Sequence, residues 1–316
     1  MKQFAIIFVV IVLVGFGITY FVTNGFGTQI ESKQTPSHAT TPEVTPTQNN
    51  RDASSTVSTS TLDSADEVMK AKTSIGTSVE GRDIKIFHYG TGDTEVLFVG
   101  GIHGGYAWNT VTVAYQLIDY LKQNPDAIPS NVMVTVIPDL NPDGLYKIAG
   151  TDGAVTKSDV PAAEADTIPG RFNANNVDLN RNFDCDWQAS GTWQSKTVSG
   201  GSTAFSEPET QALRDYIASH KPAAVVAWYS AAGGVYASQC HNGVSTETSA
   251  LTQLYAQASG YKAYENFDFY AITGDMMNWL AKKDIPAISV LLTNHTDTEW
   301  DKNKAGIDAV LQHYKN

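Results

Sequence analysis

Residues 96–110 read VLFVGGIHGGYAWNT. A β-branched and aromatic run, Val96–Val99, stops at a glycine pair, and one histidine, His103, sits in the glycine-flanked turn that follows. Apolar residues then recur at helical spacing: Val111, Ala114, Tyr115, Ile118 and Leu121. The stretch is a strand, a turn and a helix, and the pattern returns downstream. Val132–Ile137, Ala223–Ala227 and Ala287–Leu292 read as buried strands. Leu213, Tyr216, Ile217 and His220, and then Ile307, Val310, Leu311 and Tyr314, read as helix faces. Alternating strands and helices predict an α/β domain with a mostly parallel sheet. Ligands of such sheets bind beyond the carboxyl ends of the strands, which directs attention to loops 100–106, 139–144, 229–234 and 293–298. The glycines at 100, 101, 104 and 105 do not make a phosphate loop, because no Gly-Lys-Ser/Thr follows them.

The 316 residues carry 33 acidic and 21 basic side chains, a net charge of −12. With no Lys/Arg cluster, nucleic acid is not an expected partner. Two cysteines exclude a disulfide-dense scaffold and a Cys-rich zinc module. Residues 4–22, FAIIFVVIVLVGFGITYFV, are uncharged and about long enough to cross a bilayer. Lys2 precedes them, so residues 1–27 are expected to be a transmembrane anchor with a cytoplasmic amino terminus; a cleaved signal peptide is the competing reading. Residues 28–66 are rich in Thr, Ser, Pro, Gln and Asn and are expected to be a disordered extracytoplasmic tether. Residues 67–316 then form one domain.

Five further segments are long enough to be specific. They are LNPDG (140–144), GRFNANNVDLNRNFDCDW (170–187), GGSTAFSEPET (200–210), GGVYASQC (233–240) and YAITGDMMNWL (270–280), the last followed by IPAISVLLTNHTDTEW. Together with the His103 turn they resemble, in order, the zinc carboxypeptidase family of carboxypeptidases A and B, above all its bacterial secreted and membrane-anchored branch. The resemblance covers about residues 70–315. It implies a single carboxypeptidase-like α/β domain with a mixed, mostly parallel central sheet and helices on both faces. It also implies a zinc ion held by two His and one Glu, a water, and a Glu general base.

Matched position by position, the resemblance finds much of that chemistry replaced. His103 stands at the first ligand. The Glu ligand should follow three or four residues later, where Tyr106 and Ala107 stand, and Ala107 is taken as the lost ligand position. Tyr229 occupies the second His position and Leu291 the general-base position. One imidazole does not hold zinc tightly, a phenol ligates only when ionised, and Leu moves no proton. Zinc, implied by the family, is therefore expected to be absent or weakly bound. His295, Asp297, Glu299 and His241 are the candidate substitutes. Thr296 and Thr298 as caps, with Asp297 and Glu299 at the positive end of the last helix, are the structural reading.

The substrate-binding positions are kept. By resemblance, Asn180 and Arg181 bind the C-terminal carboxylate of a peptide, and Arg171 polarises the scissile carbonyl. Tyr270 covers the bound residue, and Met277 lies near an apolar specificity floor disfavouring Lys and Arg. Cys185 and Cys240 flank the site, either as a disulfide or as free thiols. Ser206-Glu207-Pro208-Glu209 reads as a capping box and LNPDG as a turn. The expected function is a membrane-anchored, catalytically impaired pseudopeptidase that binds peptide or wall-peptide C-termini. An active zinc carboxypeptidase and a structural or adhesion domain are the alternatives.

Overall fold

The computed structural model describes residues 69–315. The expected anchor and tether lie outside these residues. Among the described residues, no helix is long and apolar enough to cross a membrane.

The chain runs through β1 (Met69–Thr77), β2 (Asp83–Tyr89), β3 (Thr94–Val99), α1 (Trp108–Gln123), β4 (Val132–Ile137) and α2 (Pro142–Ala149). A short α3 (Glu164–Thr167) and a hairpin of β5 (Ser190–Trp193) and β6 (Lys196–Ser199) lead to α4 (Pro208–His220). Then come β7 (Ala224–Ser230), β8 (Gly234–Ala237), α5 (Thr246–Ser259), β9 (Ala263–Tyr264), α6 (Met276–Lys282), β10 (Ala287–Leu292) and α7 (Trp300–His313). The main sheet is mixed, in the order β1-β2-β4-β3-β7-β10-β8-β9. Its centre, β4-β3-β7-β10, is parallel, as the buried apolar runs require.

Strand alternation divides the core in two. Val96, Phe98, Val226, Trp228, Ile288 and Val290 pack under α1, α5 and α7. Leu97, Val99, Val225, Ala227, Tyr229 and Leu291 face α4 and α6. Both faces are covered, so the open ground for a ligand is at the carboxyl edge of the parallel strands.

Several local expectations change in the fold. LNPDG does not end as a turn but opens α2, with Asn141 accepting from the Gly144 N–H at 2.9 Å as N-cap. The Ser206 capping box does not form. Glu207 is the N-cap residue of α4, and Asn182 Oδ1, from a distant segment, takes the Glu207 N–H (3.1 Å) and the Thr210 hydroxyl (2.7 Å). Neither Thr296 nor Thr298 caps α7. Its N-cap is Glu299, in left-handed conformation, while Asn294 Oδ1 accepts from the Thr296 and Asp297 N–H groups. His220 is exposed rather than on the apolar stripe, its ring stacked on Tyr216 at 4.0 Å.

Candidate substrate-binding site

Tyr229 and Leu291 end β7 and β10, and the parallel register sets them directly side by side. Beside them a cavity of about 140 Å³ opens, lined by His103, Arg171, Asn180, Arg181, Tyr229, Tyr270, Met277 and Leu291. Eight of the ten positions matched to the family site thus meet in one place, and Tyr106 and Ala107 are the two outside it. Ala107 does not line it. It is buried in the turn, where its carbonyl accepts from Thr110. The neighbouring Tyr106 reaches the adjoining cleft, packed on Trp193 (5.1 Å) and His295 (4.4 Å).

Two close approaches of backbone make this convergence possible. Gly101 has φ +65°, and a Cβ there would lie 2.3 Å from Asp139 Oδ1. Gly274 has φ +64°, and a Cβ there would lie 2.5 Å from the Arg181 carbonyl. Gly274 also exchanges backbone hydrogen bonds with Phe183 and Cys185, which seats the 270–280 segment against the Arg181 turn. Cys185 and Cys240 are joined as a disulfide, Cα–Cα 6.2 Å.

The charges are buried and unevenly matched. Arg171 Nε and Nη2 both donate to Asp178 Oδ2, at 3.0 and 2.8 Å. Its guanidinium also lies 4.4 Å from the Trp193 ring centre. Burial alone would raise the Asp178 carboxyl; Arg171, His103 and Arg181 outweigh it and hold the group well below the usual carboxylate range. His103 Nε2 lies 3.3 Å from Asp178 Oδ1, but neither ring nitrogen has hydrogen-bond geometry to a partner. Burial, then Arg171, lower the imidazole to about 4, so it is neutral at neutral pH. Arg181 is different. It is 1% exposed, and its hydrogen bonds go only to carbonyls: Thr192 O from Nε (3.2 Å) and Nη2 (2.7 Å), and Asn180 O from Nη1 (2.6 Å). It brings a full positive charge to the cavity wall without a carboxylate bonded to it.

These residues do not fit a catalytic zinc. His103 offers one imidazole, and the carboxylate beside it is already clamped by Arg171. Burial pushes the Tyr229 phenol well above its ordinary value, so it does not offer a phenolate. None of the candidate substitutes lines this cavity, although His295 lines the adjoining cleft with Tyr106 and Leu291. His295 packs on Tyr106, and Asp297 accepts from Asn294 (2.9 Å). Glu299 is held by Tyr261 (2.9 Å), Thr293 N–H (2.8 Å) and Lys302 (2.7 Å), and exposed His241 pairs with Asp186 at 3.0 Å. Among the described residues, the one trio of His, Cys, Asp or Glu close enough to share an ion is Cys185, Cys240 and His241, and there both sulfurs are in the disulfide.

Asp178, Trp193 and Asp275 were not anticipated as site residues. Asp178 lies within the DLNRNF motif, where a single carboxylate among arginines was the available signal. Asp275 stands at a helix start and reads as a cap.

A buried, arginine-walled pocket at the carboxyl edge of the parallel strands defines the class: a mixed α/β domain with a ligand pocket at its strand ends. The family follows from comparison. Residues 60–296 match the Zinc carboxypeptidase family, and the chain belongs to it. Carboxypeptidase B of Astacus astacus is 33% identical over 150 residues, 45% of this chain and 48% of that protein. Carboxypeptidase Z of Mus musculus is 34% identical over 127 residues, 36% of this chain and 18% of that protein. The matches thus span about half or less of these relatives. Among solved structures, bovine thrombin-activatable fibrinolysis inhibitor superposes with a TM-score of 0.61 at 16% identity, covering 79% of this chain and 90% of that one. Murein-tripeptide amidase MpaA from Escherichia coli O157 superposes at 0.52 and 19% identity, covering 78% and 97%. These likenesses show the fold.

Proposed function

We propose that this domain is a non-catalytic member of the family that binds the free C-terminus of a peptide or wall peptide. The observation that carries the reading is Arg181. Its buried guanidinium lines the cavity beside Asn180 and hydrogen-bonds only to neutral carbonyls, so an incoming carboxylate meets a guanidinium with no carboxylate bonded to it. Cleavage is not expected, because the metal donors and the general base are replaced at Tyr106, Tyr229 and Leu291. The relatives are named as carboxypeptidases, which favours residual activity as the second reading. The disulfide supports an oxidising compartment, in keeping with a single-pass anchor at 4–22 and an extracytoplasmic domain.

Titration calorimetry with one peptide as free acid and as C-terminal amide tests this. The acid is expected to bind and the amide not to, and Arg181→Met is expected to abolish the difference. Equal binding of acid and amide overturns the reading. Zinc-dependent, chelator-sensitive hydrolysis would establish the active enzyme instead.

A further inference from the structure

Outside the cavity, two dipeptides face each other across the disulfide. Cys185-Asp186 follows the DLNRNF segment, and Cys240-His241 follows β8. The ligand atoms of Cys185, Cys240 and His241 all lie within 4.8 Å of one another. Asp186 completes a set of four: its Oδ1 lies 3.0 Å from His241 Nε2, and its Oδ2 lies 4.0 Å from Cys185 Sγ. Asp186 and His241 have φ of +53° and +65°, in the left-handed region that non-glycine residues rarely enter. Each of these turns falls on the residue after a cysteine, and each side chain ends beside the sulfurs.

Two thiolates, an imidazole and a carboxylate are ligands that zinc takes. Tetrahedral zinc bonds sulfur at about 2.3 Å and nitrogen or oxygen at about 2.0–2.2 Å, which sets its ligand atoms about 3.3–3.8 Å apart. The widest spacing among the three donors exceeds this by no more than about 1 Å, within reach of side-chain rotation. The two sulfurs are closer only because they are bonded to each other. Access is open, since the His241 and Asp186 side chains are 68% and 55% exposed while both sulfurs are buried. As a disulfide the sulfurs have no thiolate to give, so bridge and metal exclude each other.

We propose that Cys185, Asp186, Cys240 and His241 form a redox-gated zinc site, closed by the disulfide and opened by its reduction. A dithiol supplies two electrons and two protons: the Cys185–Cys240 bond breaks, two thiols form, and the dithiol is oxidised to its own disulfide. Zinc then binds both sulfurs as thiolates and releases their two protons. The ion takes over the cross-link. Cys185, whose carbonyl accepts the Gly274 N–H at 2.7 Å, stays tied to Cys240 in either state. None of the four residues lines the His103 cavity, so the site is separate from it and independent of the carboxylate-binding reading.

The test reduces the full chain with a water-soluble phosphine, which takes up a water oxygen as the bridge opens and adds no competing thiol. The protein is equilibrated with zinc, desalted and assayed by elemental analysis. The reduced protein is expected to retain one zinc per chain and the oxidised protein almost none. Cobalt in place of zinc is expected to give a thiolate-to-cobalt charge-transfer band. Cys185→Ser/Cys240→Ser, treated alike, is expected to hold neither ion. His241→Ala is expected to leave the unfolding midpoint of the disulfide form unchanged and to weaken zinc binding by the reduced form about tenfold or more. Should the phosphine not reach the buried bridge, reduction in urea and refolding with zinc gives the same readout. A reduced chain that takes no zinc, folded or not, overturns the proposal. So does cobalt binding without the band, zinc held equally by the oxidised protein or the double Ser variant, or full affinity in His241→Ala.

Discussion

Tyr229 and Leu291 are register partners on the neighbouring parallel strands β7 and β10, and both turn to the face covered by α4 and α6. They are also the two positions where the family resemblance places a zinc-binding His and the general-base Glu. The two side chains fit each other sterically: a buried neutral phenol beside a buried Leu. Restoring one without the other leaves a polar group without its partner.

This makes the replacement testable as a unit. Leu291→Glu alone buries a carboxyl beside the Tyr229 phenol and is expected to cost about 2–4 kcal/mol, read by urea unfolding. Tyr229→His and Leu291→Glu combined with Tyr106→Glu is expected to take up zinc near one equivalent, by elemental analysis after desalting. The unmodified domain is expected to retain almost none. Ala107→Glu in place of Tyr106→Glu is expected to fail, because Ala107 is buried in the turn whereas Tyr106 lines the cleft that adjoins the cavity. A triple variant that takes no zinc would mean that the ancestral ligand spacing is gone.

The Arg171–Asp178 pair is buried on both sides, with side chains 2% and 0% exposed. Removing one partner of such a pair costs about 3–5 kcal/mol, because the other charge is left uncompensated. Asp178→Ala is expected to lower stability by that amount and also to free the Asn180 N–H that Asp178 Oδ1 accepts at 3.0 Å. The folded-state acidity of Asp178 is stronger than its ordinary 3.8, so its stabilisation is complete above about pH 4 and is lost as pH falls further. Acid unfolding of Asp178→Asn should lack that step.

Glu209 gives the opposite slope. It is fully buried and accepts from the Val79 N–H and from Asn173, both at 3.2 Å. Burial pushes its carboxyl up to about 7 from an ordinary 4.5. The folded state therefore holds a proton that the unfolded chain releases, and stability falls as pH rises from 4.5 through about 7. The loss is on the order of 1 kcal/mol per pH unit in that window. Glu209→Gln is expected to flatten this arm and to raise the urea midpoint at alkaline pH. An unchanged profile would show that Glu209 ionises normally in the fold.

What the sequence made legible follows from where each signal is stored. The central strands β3, β4, β7 and β10 are readable because burial on both faces leaves a nearly continuous apolar run, interrupted by Thr135 in β4 and Ser289 in β10. The edge strands β1, β2, β8 and β9 were not, since their residues alternate or are few, and their pairing is set by the sheet rather than by local pattern. Arg171, Asn180 and Arg181 were readable because one local motif carries all three. Asp275 was not, because it joins Arg181 and Tyr236 only once the fold brings the start of α6 to their cavity. Tyr106 and Ala107 differ by one helical step from His103, and spacing alone does not choose between them. The capping reading of Ser206 failed for a similar reason, since Asn182, a remote side chain, took over its role.

The disulfide ties the two chain segments that flank the pocket, which gives it a functional as well as a stabilising consequence. Cys185 accepts the Gly274 N–H, beside the start of α6, and Cys240 follows Gln239 of the cavity wall. The bridge closes a sequence separation of 55 residues, for which loop entropy gives a stabilisation of about 4 kcal/mol. Cys185→Ala/Cys240→Ala is expected to lower the unfolding free energy, read by urea titration, by about 2–4 kcal/mol. Because the segment holding Gly274 and Asp275 is seated on Cys185, the same variant is expected to bind a free-acid peptide more weakly at temperatures where it remains folded. Calorimetry below the unfolding transition separates the two effects. Unchanged affinity in a destabilised but folded variant would assign the bridge to stability alone.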